Sequence, residues 1–217
     1  MTATHSIRVQ RTAHVDVQGD PRTARETWIL LHGYAQVATE MIEACKALAG
    51  HERLLVAPEA LSRFYRRGSS GPIGASWMTR ERREDEIADY VGYLDEVARW
   101  SERELGAPKR RVLLGFSQGA ATAWRWVALG TTRVERLVSF GGGVPPDVDL
   151  VQAKAKLEAT RIELVRGRGD AYHTAEWLER DRARLADAGL VCTTVEFDGG
   201  HELPPDVLAR LIAPSQA

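Results

Sequence analysis

Cysteine is scarce in this chain of 217 residues, and neither sign of charge is in excess. The two cysteines, Cys45 and Cys192, lie far apart in apolar patterns, which favours buried free thiols over the alternative of a disulfide. The 29 basic and 30 acidic residues give a formal net charge of -1. This balance argues against a nucleic-acid-binding protein, because such proteins usually carry a basic excess or stripe.

Long apolar runs are also missing from the sequence. No stretch approaches the length of a membrane span, and the first eight residues contain no apolar core of signal-peptide length. No repeat, low-complexity segment or linker-like stretch divides the chain, and 44% hydrophobic residues suffice for a full core. We therefore expect one domain over residues 1–217 in the cytoplasm, with neither membrane nor nucleic acid as a partner.

Apolar strand-like runs alternate with helical patterns along most of the chain. Strands are predicted at 27–31, 54–57, 112–116, 137–140, 162–165 and 191–197. Helices are predicted at 40–49, 87–105, after residue 117, and at 151–159, 174–188 and 205–212. This alternation predicts an α/β fold with a mostly parallel sheet of about eight strands and helices on both faces. In such sheets the chemistry gathers at the carboxyl ends of the strands.

Three local features are harder to interpret. Apolar residues alternate over 7–17, which predicts one long strand or a hairpin. Thr39 is the predicted N-cap of the first helix. Residues 59–79 show no periodicity and many Gly and Ser, which predicts a long loop. Its aromatic residues, Phe64, Tyr65 and Trp77, favour a functional loop over a disordered one.

The most informative stretch is 112–121, in which an apolar run ends in Gly-Phe-Ser-Gln-Gly and a helical pattern follows. Gly-x-Ser-x-Gly between a strand and a helix is the nucleophile elbow of α/β-hydrolases. The turn strains the backbone of Ser117, so Gly115 and Gly119 must lack side chains. Ser117 is therefore the predicted nucleophile, although an ordinary serine at a helix N-terminus is the simpler interpretation.

Asp170 and His201 are predicted to complete a catalytic triad with Ser117. Each of the three follows a predicted strand, and their order along the chain is that of α/β-hydrolases. A serine hydroxyl is a weak nucleophile and needs a base within hydrogen-bond reach, and the base needs a carboxylate to fix its tautomer. His201 follows two glycines just past the last strand, although most loop histidines are only solvated.

Alternatives remain for two members of the triad. Asp147 and Asp149 follow the preceding strand, a position that some hydrolases of this fold use for the acid. His173 is the best alternative base, but it precedes a helix instead of following the final strand.

An oxyanion hole requires two backbone N–H groups near the nucleophile. Gln118, the residue after Ser117, is expected to supply one. The loop after the strand 28–31 is expected to supply the other, which we assign to the Tyr34 amide. Neighbouring His32 is expected to pin this loop by hydrogen bonds rather than to transfer protons, and it is also assigned to the substrate-binding residues.

At this point the chain resembles the carboxylesterase and phospholipase group of α/β-hydrolases, which also contains acyl-protein thioesterases. The matching stretches are Leu31-His32-Gly33, Ala57-Pro58-Glu59, Ser76-Trp77, Gly115-Phe116-Ser117-Gln118-Gly119, Gly169-Asp170 and Gly199-Gly200-His201. The resemblance implies a single-domain fold without a large lid and hydrolysis through an acyl-serine intermediate, with no metal or cofactor. It also implies that Trp77 lines the acyl or alcohol pocket and that a homodimer is possible. Phe64, from the same predicted loop, is also assigned to the substrate-binding residues.

The sequence departs from the pattern of this group at sites that bear on substrate choice. Tyr34-Ala35-Gln36 stands where a Gly-Asp pair is usual, Gly119-Ala120 replaces a commoner Gly-Gly, and Tyr172-His173 stands where a proline is often found. The predicted long loop also carries arginines, at 63, 66, 67 and 80, which are mostly solvated and can draw anionic substrates.

The function predicted from the sequence is hydrolysis of short-chain or small carboxylic esters by a serine esterase. An acyl-thioesterase or a lysophospholipase is the main alternative, because both would use the same elbow. A binding or scaffold protein without turnover is the alternative from another class, which the presence of all three triad residues disfavours.

Overall fold

A computed structural model describes residues 2–212, which contain nine strands and six α-helices. The strands are β1 (Val15–Gln18), β2 (Glu26–Leu31), β3 (Arg53–Pro58), β4 (Ser62–Arg67), β5 (Ser70–Ser76), β6 (Arg110–Phe116), β7 (Arg136–Phe140), β8 (Arg161–Gly167) and β9 (Cys192–Phe197). The α-helices are α1 (Ala38–Ala44), α2 (Arg83–Leu105), α3 (Gln118–Leu129), α4 (Lys154–Glu158), α5 (Ala175–Asp187) and α6 (Pro205–Ile212), and a 3₁₀-helix, Lys46–Leu48, follows α1.

Seven strands form the main sheet, in the order β1-β3-β2-β6-β7-β8-β9. All neighbours pair in parallel except β1 and β3, which are antiparallel. Leu31 is level with Gly115, and Phe116 is level with Phe140. The chain winds outward in both directions from β2 and β6, so the turns that follow these two strands lie side by side.

Helices cover both faces of this sheet. Leu94 of α2, Trp124 of α3 and Leu185 of α5 belong to the buried cluster on one face. Met41 of α1 and Leu208 of α6 belong to the cluster on the other face. The predicted α/β architecture is confirmed. It could be predicted because strands that are buried on both faces appear in the sequence as continuous apolar runs.

The segment predicted as a long loop is instead a β-hairpin. Strands β4 and β5 form a separate two-stranded antiparallel sheet, so the main sheet has seven strands and not about eight. The side chains of β4 are exposed except for half-buried Phe64, which explains why no apolar alternation marks the strand. Two hydrogen bonds between Ala75 and the loop after β2 attach the hairpin, Ala35 N–H to Ala75 O at 2.9 Å and Ala75 N–H to Gln36 O at 3.1 Å.

Two other local predictions are wrong. Of the alternating segment 7–17, only Val15–Gln18 forms a strand, and Ile7 and Val9 are exposed. The first helix has Val37 and not Thr39 at its N-cap, where the Glu40 side chain accepts the Val37 N–H. The Thr39 hydroxyl instead donates to Asp16 at 2.7 Å and so ties the helix to β1.

Both cysteines are free thiols, in agreement with the sequence. Cys45 is buried, and its burial raises the pKa of the thiol to about 12, whereas Cys192 is partly exposed. Among the helices of residues 2–212, none combines the length and apolar composition that crossing a bilayer requires.

Candidate active site

Ser117 occupies the sharp turn between β6 and α3. Its φ of 54° and ψ of -117° are unusual for a residue with a side chain, as expected for an elbow. A β-carbon added to Gly119 would lie 2.1 Å from the Leu31 carbonyl oxygen, and one added to Gly115 would lie 2.3 Å from the Gly119 carbonyl oxygen. Both glycines are therefore required by close backbone approach, as the sequence predicts.

His201 and Asp170 form a hydrogen-bonded pair after β9 and β8. The distance from His201 Nδ1 to Asp170 Oδ2 is 2.7 Å. The other oxygen of Asp170 accepts the backbone N–H groups of Tyr172 and His173 at 2.8 and 2.9 Å. Burial alone would raise the pKa of Asp170, but the hydrogen bonds from His173, His201 and Tyr172 outweigh it and lower the pKa. The carboxylate therefore stays ionised beside the imidazole.

The His201 ring lies at the edge of the sheet where the elbow emerges. Its centroid is 4.9 Å from that of Phe116, the residue directly before Ser117. The turn after β7 contacts both catalytic candidates. A β-carbon on Gly141 would lie 3.2 Å from two atoms of the His201 ring, and one on Gly142 would lie 2.7 Å from the Ser117 carbonyl oxygen. Because Nδ1 is bonded to Asp170, Nε2 is the ring nitrogen left to act on the serine hydroxyl.

The alternative acids have other partners in the structure. Asp147 receives two hydrogen bonds of 2.9 Å from Arg125 and lies 3.0 Å from Arg83. The hydrogen bonds from Arg125 are the main reason that the pKa of Asp147 is lowered to about 2. Asp149 accepts the N–H groups of two residues of its own turn, Val151 and Gln152.

The ring of the alternative base also has another partner. His173 is 2% exposed, and its Nε2 lies 3.6 Å from a carboxylate oxygen of buried Asp181. Its backbone, and not its ring, contributes to the site by binding Asp170.

The loop after β2 lies against the elbow and presents an unpaired amide. A β-carbon on Gly33 would lie 3.3 Å from Ser117 Cβ. The Gln36 side chain accepts the Gly33 N–H at 2.8 Å and so closes the turn, in which Ala35 has a φ of 64°. Within residues 2–212 the N–H groups of Tyr34 and Gln118 have no acceptor, so both can bind an oxyanion.

Comparison with known families decides the classification. The model of the phospholipase/carboxylesterase family matches residues 12–213. The chain belongs to the phospholipase/carboxylesterase family. It is accordingly a carboxylic ester hydrolase with the α/β-hydrolase fold that the sequence predicts. No curated protein sequence matches the chain at a significant level.

Solved structures agree with the fold of this family. Esterase PE8 is 21% identical with a TM-score of 0.72, over 93% of this chain and 96% of that one. Zea mays acyl-protein thioesterase 2 is 16% identical with a TM-score of 0.74, over 92% and 96%. A phospholipase/carboxylesterase from Dyadobacter fermentans is 20% identical with a TM-score of 0.69, over 94% and 96%.

Two residues assigned to the substrate surface of this esterase lie beneath it instead. His32 is fully buried, its Nε2 accepts the Ala60 N–H at 3.0 Å, and its Nδ1 lies 2.8 Å from the Gly33 carbonyl oxygen. Burial lowers the pKa of His32, so the ring is neutral and pins the loop. Trp77 is 3% exposed and donates to the His32 carbonyl at 2.8 Å. Both side chains support the loop after β2 from behind.

Phe64 does reach the surface beside the site. It stacks on Tyr34 with centroids 5.4 Å apart and planes 28° apart. Tyr34 itself is 61% exposed. The side chain of the predicted oxyanion residue and Phe64 of the hairpin therefore form an aromatic wall that a substrate can contact.

The Gln118 side chain has a role that the sequence reasoning missed. Its oxygen accepts the Trp77 N–H at 3.1 Å, and its nitrogen donates to the Met78 carbonyl at 2.9 Å and the Ser76 hydroxyl at 3.0 Å. The side chain of Gln118, whose amide is predicted to bind the oxyanion, thus also fastens the end of β5 to the elbow. In the sequence, this contact could have been suspected only from the presence of both the Ser-Trp motif at 76–77 and a glutamine in the elbow.

Proposed function

We propose that this esterase hydrolyses small carboxylic esters through an acyl-serine intermediate. Ser117 attacks the ester carbonyl while His201 Nε2 takes its proton, and Asp170 orients and stabilises the imidazolium. The Tyr34 and Gln118 amides bind the oxyanion. His201 protonates the departing alcohol, and then activates the water that releases the acid.

The observation that supports this mechanism most directly is the 2.7 Å hydrogen bond between His201 and Asp170. It fixes the proton on Nδ1 and leaves Nε2 unprotonated, which is the tautomer that a general base needs. The strained backbone of Ser117 supports the role of its hydroxyl, because such strain clusters at active sites.

The exposed, arginine-containing β4–β5 hairpin favours small esters over esters of long acyl chains as substrates. Strand β4 contains Arg63, Arg66 and Arg67, and its side chains are exposed except for Phe64. A thioesterase or lysophospholipase for long chains would need an extended apolar groove beside the nucleophile. Relative kcat/KM on acetyl esters, acetyl thioesters and lysophospholipids decides between these substrates, and the highest value is expected for the esters.

Replacing the nucleophile tests the mechanism. Ser117→Ala is expected to lower kcat for p-nitrophenyl acetate by about 10⁶-fold and to abolish labelling by a fluorophosphonate, because no other group can form the acyl intermediate. Ser69→Ala, which changes an exposed serine in the β4–β5 turn, is the control and should keep full activity. Wild-type activity in Ser117→Ala would refute the proposal.

A homodimer and a cytoplasmic location stay predictions. Light scattering coupled to size-exclusion chromatography tests the first, with about twice the monomer mass of 24.0 kDa expected.

A further inference from the structure

Tyr172 is an exposed aromatic residue held directly against the predicted general base. Its side chain is 78% exposed, yet its ring centroid lies 4.9 Å from that of His201, with the planes 55° apart. The backbone N–H of Tyr172 donates to Asp170 at 2.8 Å, so the turn that orients the base also fixes this ring. A large aromatic surface is therefore kept at the site without being buried in the core.

The chemistry of ester cleavage indicates which part of the substrate lies next to the Tyr172 ring. When the tetrahedral intermediate collapses, the bond between the carbonyl carbon and the alkoxy oxygen breaks, and His201 gives its proton to that oxygen. The departing alcohol must therefore lie beside the imidazole. Two aromatic rings contact the imidazole: Phe116 is buried, whereas Tyr172 is exposed and is the one that can border the alcohol. The Tyr34–Phe64 wall instead borders the loop after β2.

We propose that Tyr172 is a specificity-determining residue for the alcohol portion of the ester and that it favours aromatic alcohols. The inference rests on the proposed function, because it uses the role of His201 as proton donor. The solvent-facing part of the Tyr172 ring can pack against an aromatic alcohol without displacing any core residue. Aromatic pairs contribute about 0.5–1.5 kcal/mol beyond their buried area, which corresponds to about a two- to tenfold preference in kcat/KM.

Two acetate esters with alcohols of similar size and acidity provide the test, benzyl acetate and cyclohexylmethyl acetate. With a common acetyl group, kcat/KM reports acylation, the step in which the alcohol leaves. The wild-type enzyme should prefer the benzyl ester by about two- to tenfold. Tyr172→Leu, which keeps an apolar cover over His201 but removes the ring, should bring the ratio close to one. Tyr172→Phe should keep the preference.

Trp177→Ala is the matched control. Trp177 is also an exposed aromatic near this turn, at 47% exposure, but its ring packs on Arg180 and not on His201. The ester ratio should not change in this variant.

Two results would overturn this inference without affecting the proposed mechanism. One is an unchanged ester ratio in Tyr172→Leu. The other is an equal loss on benzyl, cyclohexylmethyl and methyl acetate, because that pattern means that the ring only supports His201. Ser117→Ala, measured on the same esters, separates these results from a failure of the mechanism, since wild-type rates in that variant would overturn both proposals.

Discussion

At the scale of single residues, the site depends on how Asp170 uses its two oxygens. One accepts two amides of its own turn, and the other accepts the proton of His201 Nδ1. The carboxylate cannot rotate without losing one of these interactions. It therefore holds the orientation of the His201 ring and favours the tautomer protonated on Nδ1, which the proposed general base needs.

Replacing Asp170 by asparagine should reverse that tautomer. The amide oxygen would face the two N–H donors of the turn, so its NH₂ group would face His201 Nδ1 and place the imidazole proton on Nε2. A base protonated there cannot accept the proton of Ser117, so kcat for p-nitrophenyl acetate should fall about 10⁴-fold. Asp198→Asn, at a carboxylate that is 96% exposed, is the control. A loss in Asp170→Asn of less than about tenfold would contradict the assignment of the acid.

At the scale of elements, Ser117, the proposed nucleophile, is positioned by the close approach of α3 to β2. Gly119→Ala would place a methyl group 2.1 Å from the backbone oxygen of Leu31, which cannot move aside without distorting the sheet. The variant is expected to lose about 3 kcal/mol or more in the free energy of unfolding, measured by urea denaturation.

The control for this substitution is Gly92→Ala in α2. A β-carbon there meets no atom within 4 Å, so the better helix propensity of alanine should stabilise the protein by up to about 1 kcal/mol. If both glycine variants had the same stability, close backbone approach would not be the reason for Gly119.

The two segments that were misassigned from the sequence, β4 and residues 7–13, do not bury one face against the core. Strands such as β2 are buried on both faces and appear as continuous apolar runs, whereas β4 is exposed and carries three arginines. A strand whose side chains are almost all exposed has no hydrophobic periodicity by which its sequence could be recognised. The reverse holds for residues 7–13, whose apolar residues alternate although no neighbouring strand pairs with them.

The candidate site was more predictable than the hairpin, for a geometric reason. Parallel strands bring their carboxyl ends to one edge, so Ser117, Asp170 and His201 could be located from the strands before them. The choice among three aspartates could not be made in the same way. Asp147 is engaged by the guanidinium of Arg125 in the interior of α3, and Asp149 by amides of its own turn. Neither contact follows from the order of the strands.

At the scale of the whole molecule, Asp95 connects α2 to the end of α3. Its carboxylate accepts hydrogen bonds from the Trp126 indole and from the backbone and hydroxyl groups of Thr131 and Thr132. Burial alone would raise the pKa of Asp95, but these hydrogen bonds lower it to about 2.

The lowered pKa of Asp95 predicts a dependence of stability on pH. Because the pKa is lower in the folded protein than the unperturbed 3.8, the ionised carboxylate stabilises the fold above about pH 4. This contribution is lost as the pH falls towards 2. Asp95→Asn should lower the free energy of unfolding at pH 7 by about 2–4 kcal/mol and weaken its decrease between pH 5 and 2.

Urea titrations at a series of pH values measure this effect. Asp187→Asn, at an exposed position at the end of α5, is the control and should follow the wild-type curve. If the free energy of unfolding of Asp95→Asn decreased between pH 5 and 2 as steeply as that of the wild type, another carboxylate would be responsible for the loss of stability in acid.

The bonds of the Gln118 amide to Ser76, Trp77 and Met78 have a consequence for protein engineering. The hairpin cannot be exchanged as an independent module, since its last residues share a side chain with the nucleophile turn. A transplanted hairpin that fails to offer one N–H and one carbonyl to this glutamine would leave the half-buried amide group of its side chain unsatisfied next to Ser117. Variation in substrate range is therefore easier to obtain at the tip of the hairpin than at its base.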